Sequence, residues 1–221
     1  MNQNLKVLCF TASSKRPIYL RHCIMQMQLQ TYNVHHVLYL NSNEYDSAED
    51  EHNYLDLLRD IPIKKGNQLL AAYGPTASHH RNHMAAIEQV DWQDYDLFFK
   101  IDDDDIYKLT YIESAVADFN SRGWDFSGEI SKGHILNDKW KKTKDIAEYI
   151  SDYDYSGKEF MPPTFAWNKT CMEIISKITD IQGSEDAVWR KNLVENPHLK
   201  TMVRPAGNFC YNIHKDSILY A

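Results

Sequence analysis

Four short apolar runs in the first half of the chain decide what it can fold into. Lys6–Thr11 (KVLCFT), His36–Leu40 (HVLYL), Gln68–Ala72 and Leu97–Ile101 (LFFKI) are rich in β-branched, aromatic and aliphatic residues and bounded by polar, Gly or Pro signals, so they read as buried strands. Helical patterns separate them. Pro17 suits a first helical turn, and Ile18, Ile24, Met27 and Leu29 then recur at roughly helical spacing to about Gln30. Ala48–Arg59 places Tyr54, Leu55 and Leu58 on one face, and Ser78 N-caps a helix through Val90 whose apolar residues are Met84, Ala85, Ile87 and Val90. Strands alternating with such helices predict an α/β fold, a largely parallel sheet covered on both faces, with ligands beyond the carboxyl ends of the strands. Beyond Gly123 the pattern changes to short aromatic pieces, Trp124–Ile130 and Thr164–Trp167, which predict a smaller mixed sheet.

A chain of 221 residues fits one such domain. Its longest apolar runs are far shorter than a bilayer span and Met1–Lys6 is too polar for a signal peptide, which predicts a cytoplasmic address. Cys9, Cys23, Cys171 and Cys210 are widely scattered, in no metal or disulfide spacing, and read as reduced and mostly buried. A net charge of −7 with no basic stripe excludes a nucleic-acid surface. The basic cluster Lys139, Lys141, Lys142 and Lys144 around Trp140 reads as a solvated loop; its alternative is contact with an anionic acceptor or lipid, a peripheral association at the inner face of a membrane.

The LFFKI strand runs directly into Asp102, Asp103, Asp104 and Asp105. Four adjacent carboxylates in a partly dry setting repel one another, which calls for a cation, and oxygen ligands of this kind suit Mg2+ or Mn2+. If the run continues as extended strand, Asp102 and Asp104 share one side and Asp103 faces away.

FFKIDDDDIY resembles the strand and DxD motif of family 2 glycosyltransferases of the GT-A fold, and other pieces follow in that family's order. KVLCFTASSKRPIYL with LQTYNVHHVLYLNS resembles the family's opening strand, polar loop, helix ending in Gln-Thr, and second strand. Arg81-Asn82 matches an Arg-Asn pair before the acidic strand, Gly183-Ser184-Glu185-Asp186 resembles the Glu-Asp motif of the catalytic base, and Tyr211-Asn212-Ile213-His214 resembles a late metal-ligating histidine. The resemblance implies a single GT-A domain over 1–221, with a nucleotide-sugar half at 1–107 and an acceptor and catalytic-base half at 108–221. It implies that Thr11, Ser13 and Arg16 of the opening, with Arg81, meet the nucleotide, that Asp102 and Asp103 meet the donor, and that Asp104, His214 and Asp102 hold Mn2+ or Mg2+. One departure is Asn41-Ser42-Asn43, where relatives commonly carry an Asp to the base; Asn41 still offers an acceptor and a donor to a uracil-like edge.

The implied reaction moves a sugar from a nucleotide-sugar, with UDP favoured, to a hydroxyl of a glycan or lipid-linked saccharide, inverting the anomeric centre, as in polysaccharide biosynthesis. Such transfer needs charge neutralisation of the departing diphosphate and a general base at the acceptor hydroxyl. Asp186, with Glu185 as its alternative, sits at a helix start capped by Ser184 and reads as the base in preference to simple favourable placement against the helix dipole. Phe165 and Trp167 either stack on an acceptor sugar or belong to the core. His79 and His83 have i, i+4 spacing but lack the Glu and third ligand of a zinc site. Three competing classes fit less well. A haloacid-dehalogenase-type phosphatase would carry its Asp nucleophile after the first strand, a sugar nucleotidyltransferase a Gly-rich basic loop there, and a calcium loop a central Gly.

Overall fold

A computed structural model of the chain describes residues 5–14, 16–41, 56, 58–75, 78–129, 134–136, 162–179, 181, 184–205 and 207–213. The expected alternation is present in its first half. Strand β1 (Val7–Ser13) leads through α1 (Pro17–Gln28) to β2 (His35–Asn41), β3 (Gln68–Gly74) follows, and α2 (His79–Ile87) returns the chain to β4 (Leu97–Lys100). Pro17 occupies the first turn of α1, and the Ser78 hydroxyl accepts the Arg81 N–H at the start of α2. The helix read at Ala48–Arg59 lies almost wholly outside the described residues.

After the short β5 (Ile106–Tyr107) come α3 (Tyr111–Arg122), β6 (Phe126–Glu129), β7 (His134–Leu136), β8 (Ala166–Asn168), α4 (Lys169–Ile175), α5 (Glu185–Val194), β9 (Thr201–Arg204) and β10 (Phe209–Ile213). Gly123 ends α3 in the left-handed conformation, φ 61°, where its N–H closes on the Phe119 carbonyl. The main sheet has seven strands in the order β3-β2-β1-β4-β8-β6-β9. β3, β2, β1 and β4 are parallel, β8 runs antiparallel to both its neighbours, and β6 and β9 are parallel to each other. A second sheet, β5-β10-β7, lies beside the acidic run, with Phe209 opposite Tyr107 and Cys210 opposite Ile106.

Period-two alternation splits the core into two faces. Cys9, Leu97 and Phe99 pack with Cys23 and Met27 of α1 and with Ile112, Ala115 and Val116 of α3. Leu8, Phe10 and Phe98 pack on the other face with Met84 and Ile87 of α2, Met172 of α4, and Trp189 and Leu193 of α5. Cys9, Cys23 and Cys171 are buried free thiols. Among the described residues, no helix is long and apolar enough to cross a membrane.

Candidate active site

The carboxyl ends of β1 and β4 open into one cavity of about 120 Å³. It is lined by Ala12–Ser14 at the end of β1 and Arg16, by His79, Asn82 and His83 of α2, by Lys100 and Asp102–Asp104, and by Glu185 and Asp186 of α5. The structure therefore brings together Ser13, Arg16, Asp102, Asp103, Asp104, Glu185 and Asp186 of the residues singled out from sequence.

The acidic run is not extended strand. β4 ends at Lys100 and residues 103–104 form a turn, so the alternation that was to send Asp103 away does not operate. Asp103 is instead fully buried on the cavity wall, accepting from the Ser13 hydroxyl and pairing with Arg16 at 2.7 Å. Arg16 also donates to Asp104. Burial pushes Asp103 up to about 7, with Arg16 pulling the other way and Asp104 adding to the rise. Burial by itself would lower Arg16, but Asp103, Asp104 and Asp102 outweigh it and raise its pKa. The Asp102 N–H donates to the Tyr107 hydroxyl at 3.0 Å, and that hydroxyl donates to the Pro163 carbonyl at 3.0 Å.

Lys100 is the residue the sequence reading passed over. It shares the face of Phe98, so it points toward α2 and α5, where its side chain is 2% exposed. Its Nζ lies 2.7 Å from Asp102 Oδ1 and 3.2 Å from Asp186 Oδ1. Burial alone would discharge it, but Asp102, Asp186 and Glu185 hold it firmly as a cation. Burial raises Asp186 to about 6 despite the pull of Lys100. A lysine inside an otherwise apolar strand, two residues before the first aspartate of a carboxylate run, was the available signal.

α5 is set against the sheet by Trp189, whose ring meets Phe10, Trp167, His80 and His83. The indole N–H donates to His80 Nδ1 at 3.1 Å while His80 Nε2 donates to the Ile178 carbonyl at 2.9 Å, which fixes the His80 tautomer. His83 Nδ1 lies 3.8 Å from Glu185 Oε1, and burial lowers its pKa so far that it stays neutral there.

Several residues are placed elsewhere. Thr11 points to the α1 face, fully buried, its hydroxyl donating to the Ile101 carbonyl at 2.8 Å and meeting His36 Nε2 at 2.9 Å, so it lies behind the cavity and not in it. Arg81 is exposed on α2 and is not among the cavity-lining residues; its neighbours His79, Asn82 and His83 take that position because of the helix phase. Asn41, at the end of β2, is also buried outside the lining. Phe165 and Trp167 are core residues: Phe165 packs edge-on against Phe126 at 5.1 Å, and Trp167 against Trp189 at 5.6 Å and Phe10 at 5.3 Å. His214, and the basic cluster Lys139–Lys144, lie outside the described residues.

No family model and no curated protein matches this sequence. Solved structures do match its fold. The chain has the α/β fold of GT-A glycosyltransferases, with a mixed, mostly parallel main sheet of seven strands. In particular it is similar to residues 1–349 of S. aureus TarS in complex with UDP-GlcNAc, at TM-score 0.66 and 11% identity over 96% of this chain and 60% of that one. It is also similar to the mannosyltransferase PcManGT from Pyrobaculum calidifontis in complex with GDP-Man and Mn2+, at TM-score 0.64 and 8% identity over 92% of this chain and 57% of that one. A third match is 4-diphosphocytidyl-2C-methyl-D-erythritol synthase from Anaerococcus prevotii, at TM-score 0.57 and 10% identity over 91% of this chain and 88% of that one. The chain thus spans about three-fifths of the length of the two glycosyltransferase structures.

Proposed function

We propose that the chain is a metal-dependent glycosyltransferase that moves a sugar from a nucleotide-sugar to an acceptor hydroxyl with inversion. The observation that carries this reading is the meeting, in one cavity at the carboxyl ends of β1 and β4, of the acidic turn and the carboxylate pair Glu185 and Asp186. The fold supports it, since TarS and PcManGT are seen with UDP-GlcNAc and with GDP-Man and Mn2+. UDP is the favoured carrier, a glycan or lipid-linked saccharide the acceptor, and residues 1–107 and 108–221 the donor and acceptor halves of one domain.

The donor set suits Mn2+ or Mg2+. Among the described residues no three His, Cys, Asp or Glu side chains converge on one point. These ions, however, bind through one or two carboxylates plus substrate phosphates, which Asp104 and Asp102 supply, and His214 is the proposed further ligand. A bound ion would neutralise charge developing on the departing diphosphate. The remaining work falls to the chain's own groups. Arg16 and Ser13 line the wall where the nucleoside diphosphate lies. Asp186 takes the proton from the acceptor hydroxyl as its oxygen bonds to the anomeric carbon and the bond to the diphosphate breaks. A carboxylate raised to about 6 is ionised at neutral pH yet basic enough for that step. Glu185 beside neutral His83 is the alternative base.

A second reading is nucleotidyl transfer, and this chain spans 88% of the 4-diphosphocytidyl-2C-methyl-D-erythritol synthase structure. Against it, the segment Ala12–Arg16 at the end of β1 holds no glycine to cradle a triphosphate. Product analysis separates the two, because sugar transfer releases a nucleoside diphosphate and nucleotidyl transfer releases pyrophosphate. Asp104→Asn should abolish Mn2+-dependent thermal stabilisation by nucleotide-sugars while leaving the unliganded melting temperature within a few degrees. Unchanged stabilisation in that variant would defeat the donor-site assignment.

A further inference from the structure

Burying an ammonium group costs several kcal/mol unless it is well paired, so a strand residue that served packing alone would be apolar, as Phe98 is two residues earlier on the same face. Lys100 breaks that rule in one place only, where two carboxylates from separate segments reach it. Asp102 belongs to the acidic turn after β4, and Asp186 to the first turn of α5. Both line the same cavity, one on the proposed donor side and one as the proposed base. The single Nζ donates to Asp102 Oδ1 at 2.7 Å and attracts Asp186 Oδ1 as an ion pair at 3.2 Å, so one charge constrains the distance between the two carboxylates. Asp102 has a second anchor, its N–H on the Tyr107 hydroxyl. Asp186 is tied to the sheet through Lys100.

We propose that Lys100 is a positioning residue, holding Asp186 in register with Asp102 and so aligning the base with the bound donor. The proposal rests on the glycosyltransferase reading, and its test is a double-mutant cycle on turnover that can fail separately from that reading. Lys100→Met should lower kcat on the order of 100-fold and leave nucleotide affinity, measured by calorimetry, within about threefold, because Asp102 keeps its Tyr107 anchor. In an Asp186→Asn background the same change should alter the residual kcat by less than about twofold, since a group that acts through Asp186 has nothing left to position. Lys100→Arg, which retains the charge and the donors, should recover about tenfold of the loss.

Full multiplication of the two defects in the double variant would overturn the proposal in favour of a merely structural charge. A loss of nucleotide affinity matching the loss of kcat would overturn it in favour of donor binding. If Lys100→Met does not fold, Lys100→Gln and the charge-balanced pair Lys100→Met with Asp186→Asn carry the same comparison against Asp186→Asn alone. Undiminished turnover in Asp186→Asn itself would remove Asp186 as the base and leave the cycle flat from its first step, an outcome distinct from either of the others.

Discussion

Two cations are buried in this sheet, and they are used differently. Lys100, at the end of β4, meets Asp102 and Asp186, whose side chains are 28% and 20% exposed at the cavity. Arg204, at the end of β9, meets partners that are all enclosed: Glu129 at 3.6 Å, the Tyr111 hydroxyl at 3.0 Å and the Thr164 carbonyl, with its guanidinium 5.2 Å from the Tyr111 ring centroid. Arg204 and Glu129 are each 1% exposed. Glu129 in turn accepts the Asn208 N–H at 3.2 Å, so this cluster ties β6, β9, α3 and the entry to β10 together. Burial of a charge is therefore no mark of function in itself. What distinguishes Lys100 is that the carboxylates it pairs with also face a space a ligand can enter.

The contrast breaks most sharply at Arg204. Arg204→Met leaves Glu129 uncompensated and should cost about 3–5 kcal/mol in denaturant unfolding, without selectively weakening nucleotide binding. A variant that kept its stability but lost donor affinity would put Arg204 in the site and erase the distinction.

Arg16 offers an intermediate case, an ion pair on the cavity rim with its side chain 20% exposed. Arg16→Gln should weaken nucleotide-sugar binding by roughly tenfold, about 1.4 kcal/mol, with little change in melting temperature. Calorimetry checks the first and a thermal scan the second. An effect confined to stability would make Arg16 a structural cation like Arg204.

A smaller effect is expected at the start of α2, which carries His79, Asn82 and His83 to the cavity. Ser78→Ala removes the cap on Arg81 N–H and should cost about 1 kcal/mol by the same unfolding measurement. No change would mean that packing alone holds the helix end.

The last test concerns pH. Asp103 is raised to about 7 in the folded chain and has an ordinary value near 3.8 unfolded. The folded state therefore binds the extra proton between these values, and stability contributed by this group increases as pH falls through about 7 and is complete below the unfolded pKa. The metal-free melting temperature should rise slightly from pH 7.5 to about 5.5, and less so in Asp103→Asn. A rise of equal size in that variant would assign it to other groups.

Strand and helix periodicity carried the first half of the chain because most elements there are long enough to repeat their pattern. β1 to β4, α1 and α2 could be located from apolar spacing, and the carboxyl-end rule then pointed to the acidic run. Side-chain direction was harder. Counting LFFKI as one apolar run hid Lys100, although its place with Phe98 on one face follows from the same period of two. Thr11 could have been placed opposite Phe10 by that rule, whereas Arg81 could not be separated from His79, Asn82 and His83, since polar residues surround the whole first turn of α2. Phe165 and Trp167 lie in or beside a three-residue strand, too short to show which face is buried, and the partners that make them core, Phe126 and Trp189, are distant in sequence.

The Tyr107 hydroxyl has a practical bearing on attempts to re-engineer this chain. It joins the backbone of Asp102 to the carbonyl of Pro163, at the entrance to β8. Grafting a new segment ahead of β8 will disturb the acidic turn unless the graft returns a carbonyl to the position of Pro163. Replacement segments are best joined upstream of Pro162, keeping Pro163, Thr164 and Tyr107 as a fixed splice point.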